Sequence, residues 1–269
     1  MRLVACLKSK KTMEILVITI AAFFTAILTF FSGFGLGTIL TPVFVLFFPI
    51  DIAIALTGIV HFTNNMFKIT LVGKLANKSV LLRFGIPAIL ASFLGAWLLV
   101  KLTDLPVITT YSLWGNIYSI TPINLVIAIL LLFFSVLEVI PSFQKIQFTK
   151  NKLPLGGFLS GFFGGLAGIQ GAIRSAFLLK SGLTKEGYIA TGVVIASLVD
   201  FTRLAVYASR FTESNLTANI PLVLSATVAA TAGAYVGKKL LKKITLKFIQ
   251  NLVAVMLIVI SFALGAGLI

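Results

Sequence analysis

Residues 32–42, SGFGLGTILTP, interrupt a long apolar run with three glycines at every second position, and a proline follows where the run resumes. Backbone with so weak a helix preference is tolerated at membrane depth only where protein buries it or where it lines a cavity. A second glycine-dense stretch, LSGFFGGLAGIQGAIRS at 159–175, lies inside another apolar run. Both stretches are therefore candidates for broken membrane helices.

A shift of 135 residues aligns these two stretches, and the segments that follow them, without a gap. The superimposed pairs are Gly33 and Gly168, Asp51 and Glu186, Asn65 and Asp200, and Lys68 and Arg203. A lone glycine in a membrane helix more often serves close helix packing. Paired breaks at matched positions of a repeat instead indicate a binding site between two halves.

The composition is typical of a polytopic membrane protein of the all-α class. Hydrophobic residues make up 59% of the chain, charged residues 11%, and the mean hydropathy is +1.10. Soluble domains carry roughly 25% charged residues. The net charge of +15 comes from basic residues in short loops. The preference of cytoplasmic loops for Lys and Arg explains that placement, so no nucleic-acid partner is required.

We predict one transmembrane transporter domain over residues 1–269 with about eight membrane-spanning segments. Repeat one covers 14–140, a basic connection covers 141–153, and repeat two covers 154–269. Apolar segments are expected at 14–31, 38–48, 52–72, 82–100, 122–140, 155–179, 187–209, 218–237 and 248–268, of which 38–48 reaches only halfway across the membrane.

The distribution of lysines favours a re-entrant hairpin at 155–179. If this segment enters and leaves the membrane by one side, the basic loops that flank it and the five-lysine loop at 238–247 all lie inside the cell. The two halves then point in opposite directions, as in the inverted repeats of many transporters. We expect residues 102–120 to form an interfacial loop with aromatic anchors rather than a span.

The glycine stretches resemble those of the TauE/SafE sulfite exporters, a family of bacterial and archaeal membrane permeases. Each half of that family opens on a pattern close to GxGGGxxxxP. Gly33, Gly35, Gly37 and Pro42 match the first copy, whereas residues 168–172 match the second loosely and Phe177 stands where the proline would fall. The resemblance covers nearly the whole chain. It implies transport of sulfite or a small organosulfonate across the plasma (inner) membrane of a prokaryote.

Arg174 is the leading candidate for binding an anionic substrate. It lies three residues past Gly171 inside an apolar run, where a central charge costs roughly 2.5–3.5 kcal/mol on insertion scales. A guanidinium can hold an oxyanion through two parallel hydrogen bonds, and the exposed amides of a helix N-terminus would assist it. Snorkelling toward the interface, or pairing with an acid, is the alternative interpretation.

Four further ionisable residues of the apolar segments are candidates for a role in transport. His61 and Asp200 are candidates for coupling transport to protons, although a packing histidine, and an aspartate neutralised by Arg203, are the alternatives. Lys68 and Arg203, at matched positions of the two halves, are secondary charged candidates, and snorkelling is the favoured explanation for both because each lies near a helix end.

Neutral side chains and glycines complete the predicted substrate site. They are Gly33, Gly35, Gly37, Thr41, Asn64, Asn65, Gly168, Gln170 and Gly171. Hydrogen bonding between helices is an equally good explanation for the amides.

A secondary transporter that rocks one repeat against the other, coupled to protons, is the leading functional hypothesis. An anion channel, or a permease for another small ion, is the alternative. With one histidine, one cysteine and no HExxH motif, the chain lacks the pattern of an intramembrane enzyme. No phosphate loop or dinucleotide motif indicates a cofactor, no metal site is predicted, and the expected partners are a small anion and lipid. The sequence does not indicate an oligomeric state.

Overall fold

The computed structural model describes residues 2–29, 36–140, 147–213, 219–240 and 246–269. Helices dominate these ranges. The first half contains α1 (Arg2–Thr29), α2 (Leu36–Val45), α3 (Ile50–Val72), the short α4 (Lys78–Val80), a π-helical segment (Leu81–Gly85), α5 (Ile86–Thr103) and α6 (Pro122–Val139). The second half contains α7 (Leu153–Ala167), α8 (Gly171–Leu178), α9 (Lys185–Glu213), α10 (Ile220–Leu240) and α11 (Leu246–Gly265).

Several of these helices have the length and composition of membrane spans. Within the described ranges, five helical segments are long and apolar enough to cross a membrane: Lys11–Thr29, Ile50–Leu75, Lys78–Thr103, Lys185–Ala208 and Ile220–Gly237. Shorter apolar helices lie at Leu36–Val45, Pro122–Leu137 and Ala254–Gly265. The chain is an all-α, multi-pass membrane protein, and the number of spans stays a prediction.

One small β-hairpin lies in the segment that was expected to be an interfacial loop. Strands β1 (Thr109–Leu113) and β2 (Asn116–Ile120) pair antiparallel around the two-residue turn Trp114–Gly115. Both turn residues have positive φ, which matches the twist of a tight hairpin. The Tyr111 hydroxyl donates to the Ala266 carbonyl at 2.5 Å, so the hairpin is attached to the end of α11.

Glycines at intervals of four bring α7 into backbone contact with α5. A Cβ added at Gly157, Gly161 or Gly165 would lie 2.1 Å from the carbonyl oxygen of Phe84, Ala88 or Ser92, respectively. The partners advance in the same chain direction on both helices, so α5 and α7 run parallel. These three glycines therefore serve close helix packing.

The same kind of contact joins α1 to α10. Gly233 lies against the Phe23 carbonyl, where an added Cβ would be 2.2 Å from the oxygen, and Thr19 Oγ1 donates to Ser225 Oγ at 3.0 Å. Each of the two contacts thus pairs the helix that precedes α2 or α8 with a helix from the other half of the chain.

Helix α8 turns back along α7. Gly156, at the start of α7, lies against the ring of Phe177 near the end of α8. Phe148 stacks on the same ring with centroids 4.1 Å apart, and its backbone N–H donates to the Ala176 carbonyl. Both ends of the α7–α8 segment therefore lie close together, as a re-entrant hairpin requires.

Two pairs of helices begin at positions that are separated by the 135-residue shift between the two halves. Helices α2 and α8 begin at Leu36 and Gly171, and α3 and α9 begin at Ile50 and Lys185. Both pairs are 135 residues apart, the shift that aligns the two halves. The division into repeats stays a prediction.

Candidate functional site

The polar residues singled out in the sequence meet where α3 crosses α9 beside the break between α7 and α8. Gly58 of α3 lies against the Arg203 guanidinium, and His61, one turn later, contacts Asp200. Gly192, near the start of α9, lies against Arg174 of α8. Because the contact moves forward along α3 from Gly58 to His61 and backward along α9 from Arg203 to Asp200, these two long helices cross antiparallel. Their polar faces meet inside the protein.

Asp200 is the centre of this cluster and has no solvent exposure. Its Oδ2 lies 2.5 Å from His61 Nδ1 and accepts a long hydrogen bond of 3.5 Å from Asn65 Nδ2. Its Oδ1 accepts from Gln170 Nε2 and from Arg203 Nε, both at 3.0 Å. Four donors thus satisfy the carboxylate, as a buried charge requires.

Gln170 links this carboxylate to Arg174. Its side-chain amide donates to Asp200, while its Oε1 accepts from Arg174 Nη1 at 3.0 Å. The Gln170 backbone carbonyl accepts from Ser160 Oγ at 2.9 Å, which fixes the residue to α7. Lys68 is buried close enough to Arg174 for their charges to repel.

The break itself is shaped by Gly168. This residue ends α7 in the left-handed conformation at φ 75°, as glycines commonly do at helix C-termini. A Cβ added there would lie 3.0 Å from Arg203 Nη1 and 3.9 Å from Thr41 Oγ1. A Cβ at Gly37, in the first turn of α2, would lie 3.2 Å from the Gly168 carbonyl oxygen. The start of α2 therefore lies against the break between α7 and α8.

The buried side chains carry an excess of positive charge. Lys68, Arg174 and Arg203 are 5%, 3% and 0% exposed, and Asp200 is the single carboxylate buried with them among the side chains that the structure describes. With His61 neutral, three cations against one anion leave an excess of two positive charges. Isolated buried charge is strongly unfavourable, so this arrangement favours an anionic ligand.

Several buried polar atoms near the crossing have no hydrogen-bond partner within the described ranges. They are Thr41 Oγ1, Thr57 Oγ1, both amide atoms of Asn64, and Arg203 Nη1 and Nη2. Arg203 Nη2 lies 2.9 Å from Asp200 Oδ1 as an ionic contact without hydrogen-bond geometry. Unsatisfied buried donors are costly and are typical of sites that a ligand or water completes.

The structure gathers most of the predicted site residues and changes the explanation of two. Lys68 and Arg203 do not snorkel to the interface, because both are buried and Arg203 pairs with Asp200. Arg174 is likewise buried and bonded to Gln170. Gly171 begins α8 beside them. Gly33 and Gly35 lie outside the described residues.

Sequence reasoning missed Tyr207 and Ser160. The Tyr207 hydroxyl donates to the Gly165 carbonyl near the C-terminus of α7, and Ser160 holds Gln170. Tyr207 follows Asp200 by seven residues and Arg203 by four, which are helical spacings, so the polar face of α9 could have revealed it. Ser160 had no signal beyond its place in the glycine stretch.

Comparison with known proteins identifies the family. The profile of the family described as Sulfite exporter TauE/SafE matches residues 18–264, nearly the whole chain. The chain belongs to this family. No curated protein and no solved structure matches it. As a TauE/SafE member, the protein is a multi-pass membrane protein of a transporter family that is described by the export of sulfite, a small anion.

Proposed function

We propose that the protein is a secondary transporter that carries sulfite or a small organosulfonate across the plasma membrane of a prokaryote, coupled to protons, by alternating access. The observation that carries this proposal is the excess of two positive charges buried at the crossing of α3 and α9. A divalent oxyanion would offset this excess, and a monovalent one would halve it. The TauE/SafE membership supports the same class of substrate.

Arg174 is the residue that we assign to anion recognition. Its planar guanidinium suits a sulfur oxyanion, which can accept two parallel hydrogen bonds. Gln170 accepts from Nη1 and so orients the side chain, and Lys68 adds a second positive charge nearby. Arg174 lies in the first turn of α8, where the helix dipole further favours an anion.

His61 and Asp200 are the groups that we assign to proton coupling. They contact each other directly, and Gln170 connects the same carboxylate to Arg174. Protonation of Asp200 would remove the negative charge that Gln170 and Arg203 now face. The anion and the proton would then affect the same hydrogen-bond network, as coupled transport requires.

Flux measurements in liposomes test this function. Purified protein would be reconstituted, and uptake of radiolabelled sulfite would be followed with and without an imposed pH gradient. We expect saturable uptake that the gradient drives uphill. Arg174→Ala should lower uptake by about 10- to 100-fold, because charge-assisted hydrogen bonds to an anion are worth about 1.5–3 kcal/mol. Arg83→Ala, a change of an exposed arginine, is the matched control.

Asp200→Asn separates transport from coupling. The amide keeps the shape of the carboxylate and loses its charge, so sulfite uptake should persist down its own gradient and cease to respond to pH. Uptake that never saturates and never runs uphill would indicate a channel instead. Normal sulfite uptake by the Arg174→Ala variant would show that Arg174 does not bind the substrate.

A further inference from the structure

Arg203 carries a guanidinium group that its ion pair does not use fully. Nε donates to Asp200 and the Tyr207 hydroxyl lies near the guanidinium, whereas Nη1 makes no hydrogen bond of good geometry among the described residues and is fully buried. The Thr41 hydroxyl, 2% exposed, is also without a partner in these ranges. Both atoms lie within 4 Å of the point that a Cβ on Gly168 would occupy. Arg203 Nη1 and the Thr41 hydroxyl therefore both lie beside Gly168, which has no side chain to fill the space between them.

This place is separate from Lys68 and from Arg174, which lies against Gly192, eight residues before Asp200 on α9. The Arg203 guanidinium lies beside Gly58, whereas Lys68 is ten residues further along α3, about 15 Å at 1.5 Å per residue. His61 and Asn65 lie between them and contact Asp200. A layer formed by these three side chains thus divides one cationic region from the other.

We propose that Arg203 Nη1, Thr41 Oγ1 and the break at Gly168 form a second anion subsite, on the opposite side of the Asp200 layer from Arg174 and Lys68. The inference rests on the proposed anion transport and adds a second place for the same oxyanion. Lys68 and Arg203 occupy matched positions 135 residues apart, and they belong to different subsites.

The charges predict unequal affinities for the two subsites. Asp200 already compensates the charge of Arg203, and its carboxylate would repel an anion that binds beside the same guanidinium. The subsite at Arg203 is therefore the weaker one. An anion crossing the protein would pass from one cationic region to the other as the Asp200 layer rearranges.

Equilibrium dialysis of the detergent-purified protein against radiolabelled sulfite, without oxygen, tests the inference. We expect two saturable equivalents per chain with different affinities. Thr41→Val, which replaces the hydroxyl with a methyl group, should weaken the lower-affinity class by about tenfold and leave the other unchanged. Arg174→Gln should weaken the higher-affinity class alone.

Two controls separate loss of the subsite from loss of the fold. Thr41→Ser restores a hydroxyl and should restore binding, and Thr202→Val removes a hydroxyl that bonds only to its own helix, at the Leu198 carbonyl in the described contacts. A single equivalent that Arg174→Gln weakens and Thr41→Val leaves alone would overturn the second subsite while the transport proposal stands. Absence of both saturable binding and sulfite flux would overturn the two together.

Discussion

At the scale of single residues, the site depends on how many partners each buried charge has. Asp200 accepts from four side chains and so can remain charged in an apolar interior. Gln170 is the residue that connects this carboxylate to Arg174. It could be named from the sequence as a neutral donor, but its role as a bridge depends on contacts with two other helices.

Gly168→Ala should impair transport more than it impairs folding. The left-handed conformation costs a non-glycine residue about 1–2 kcal/mol, and the new methyl group would press on Arg203 Nη1. Gly182→Ala is the matched control, because Gly182 also has positive φ but meets the flexible end of Lys150. Melting in detergent should fall similarly for both variants, and only Gly168→Ala should lose sulfite uptake. Equal uptake by the two would show that Gly168 serves the fold alone.

At the scale of helices, the glycines of one stretch perform two different tasks. Gly157, Gly161 and Gly165 allow α7 to contact the backbone of α5, whereas Gly168 shapes the break. The sequence showed the density of glycines and the position of the break. It did not separate the two tasks, because spacing alone does not reveal which neighbour a glycine faces.

Gly161→Ala should destabilise the protein through the contact between α5 and α7. The added Cβ would lie 2.1 Å from the Ala88 carbonyl oxygen and 2.6 Å from its Cα, so the helices must separate. Overpacking of this kind costs typically about 1–3 kcal/mol. Gly85→Ala, at a helical glycine with open space around it, should leave the melting temperature unchanged or raise it. A Gly161→Ala protein as stable as the Gly85→Ala protein would contradict the packing described for α7.

At the scale of the whole molecule, two blocks of helices can be defined around α3 and around α9, and these two helices also pack extensively against each other. The first contains α1, α2 and α3 with α10 from the second half, and the other contains α7, α8 and α9 with α5 from the first half. The crossing of α3 and α9, where the charged cluster lies, is an interface between the blocks. Relative movement of the blocks would change access to the cluster.

Cross-linking should distinguish movement within a block from movement between blocks. In a chain with Cys6→Ser, a disulfide between Thr19→Cys and Ser225→Cys would join α1 to α10 inside one block, and we expect sulfite uptake to persist. A short thiol cross-linker between Phe62→Cys and Phe201→Cys, whose native rings are 6.3 Å apart, would join α3 to α9 and should block uptake reversibly. Equal inhibition by both links would argue against two moving blocks.

The sequence by itself determined the all-α membrane class, the positions of most helices and the break near Gly168, because apolar length, glycine and helical spacing are local properties. Tertiary structure alone decided that Lys68 and Arg203 are buried rather than snorkelling. It also decided that His61 contacts Asp200, 139 residues away. The direction and depth at which α3 crosses α9 fix those contacts, and that geometry results from the packing of all the surrounding helices rather than from either segment.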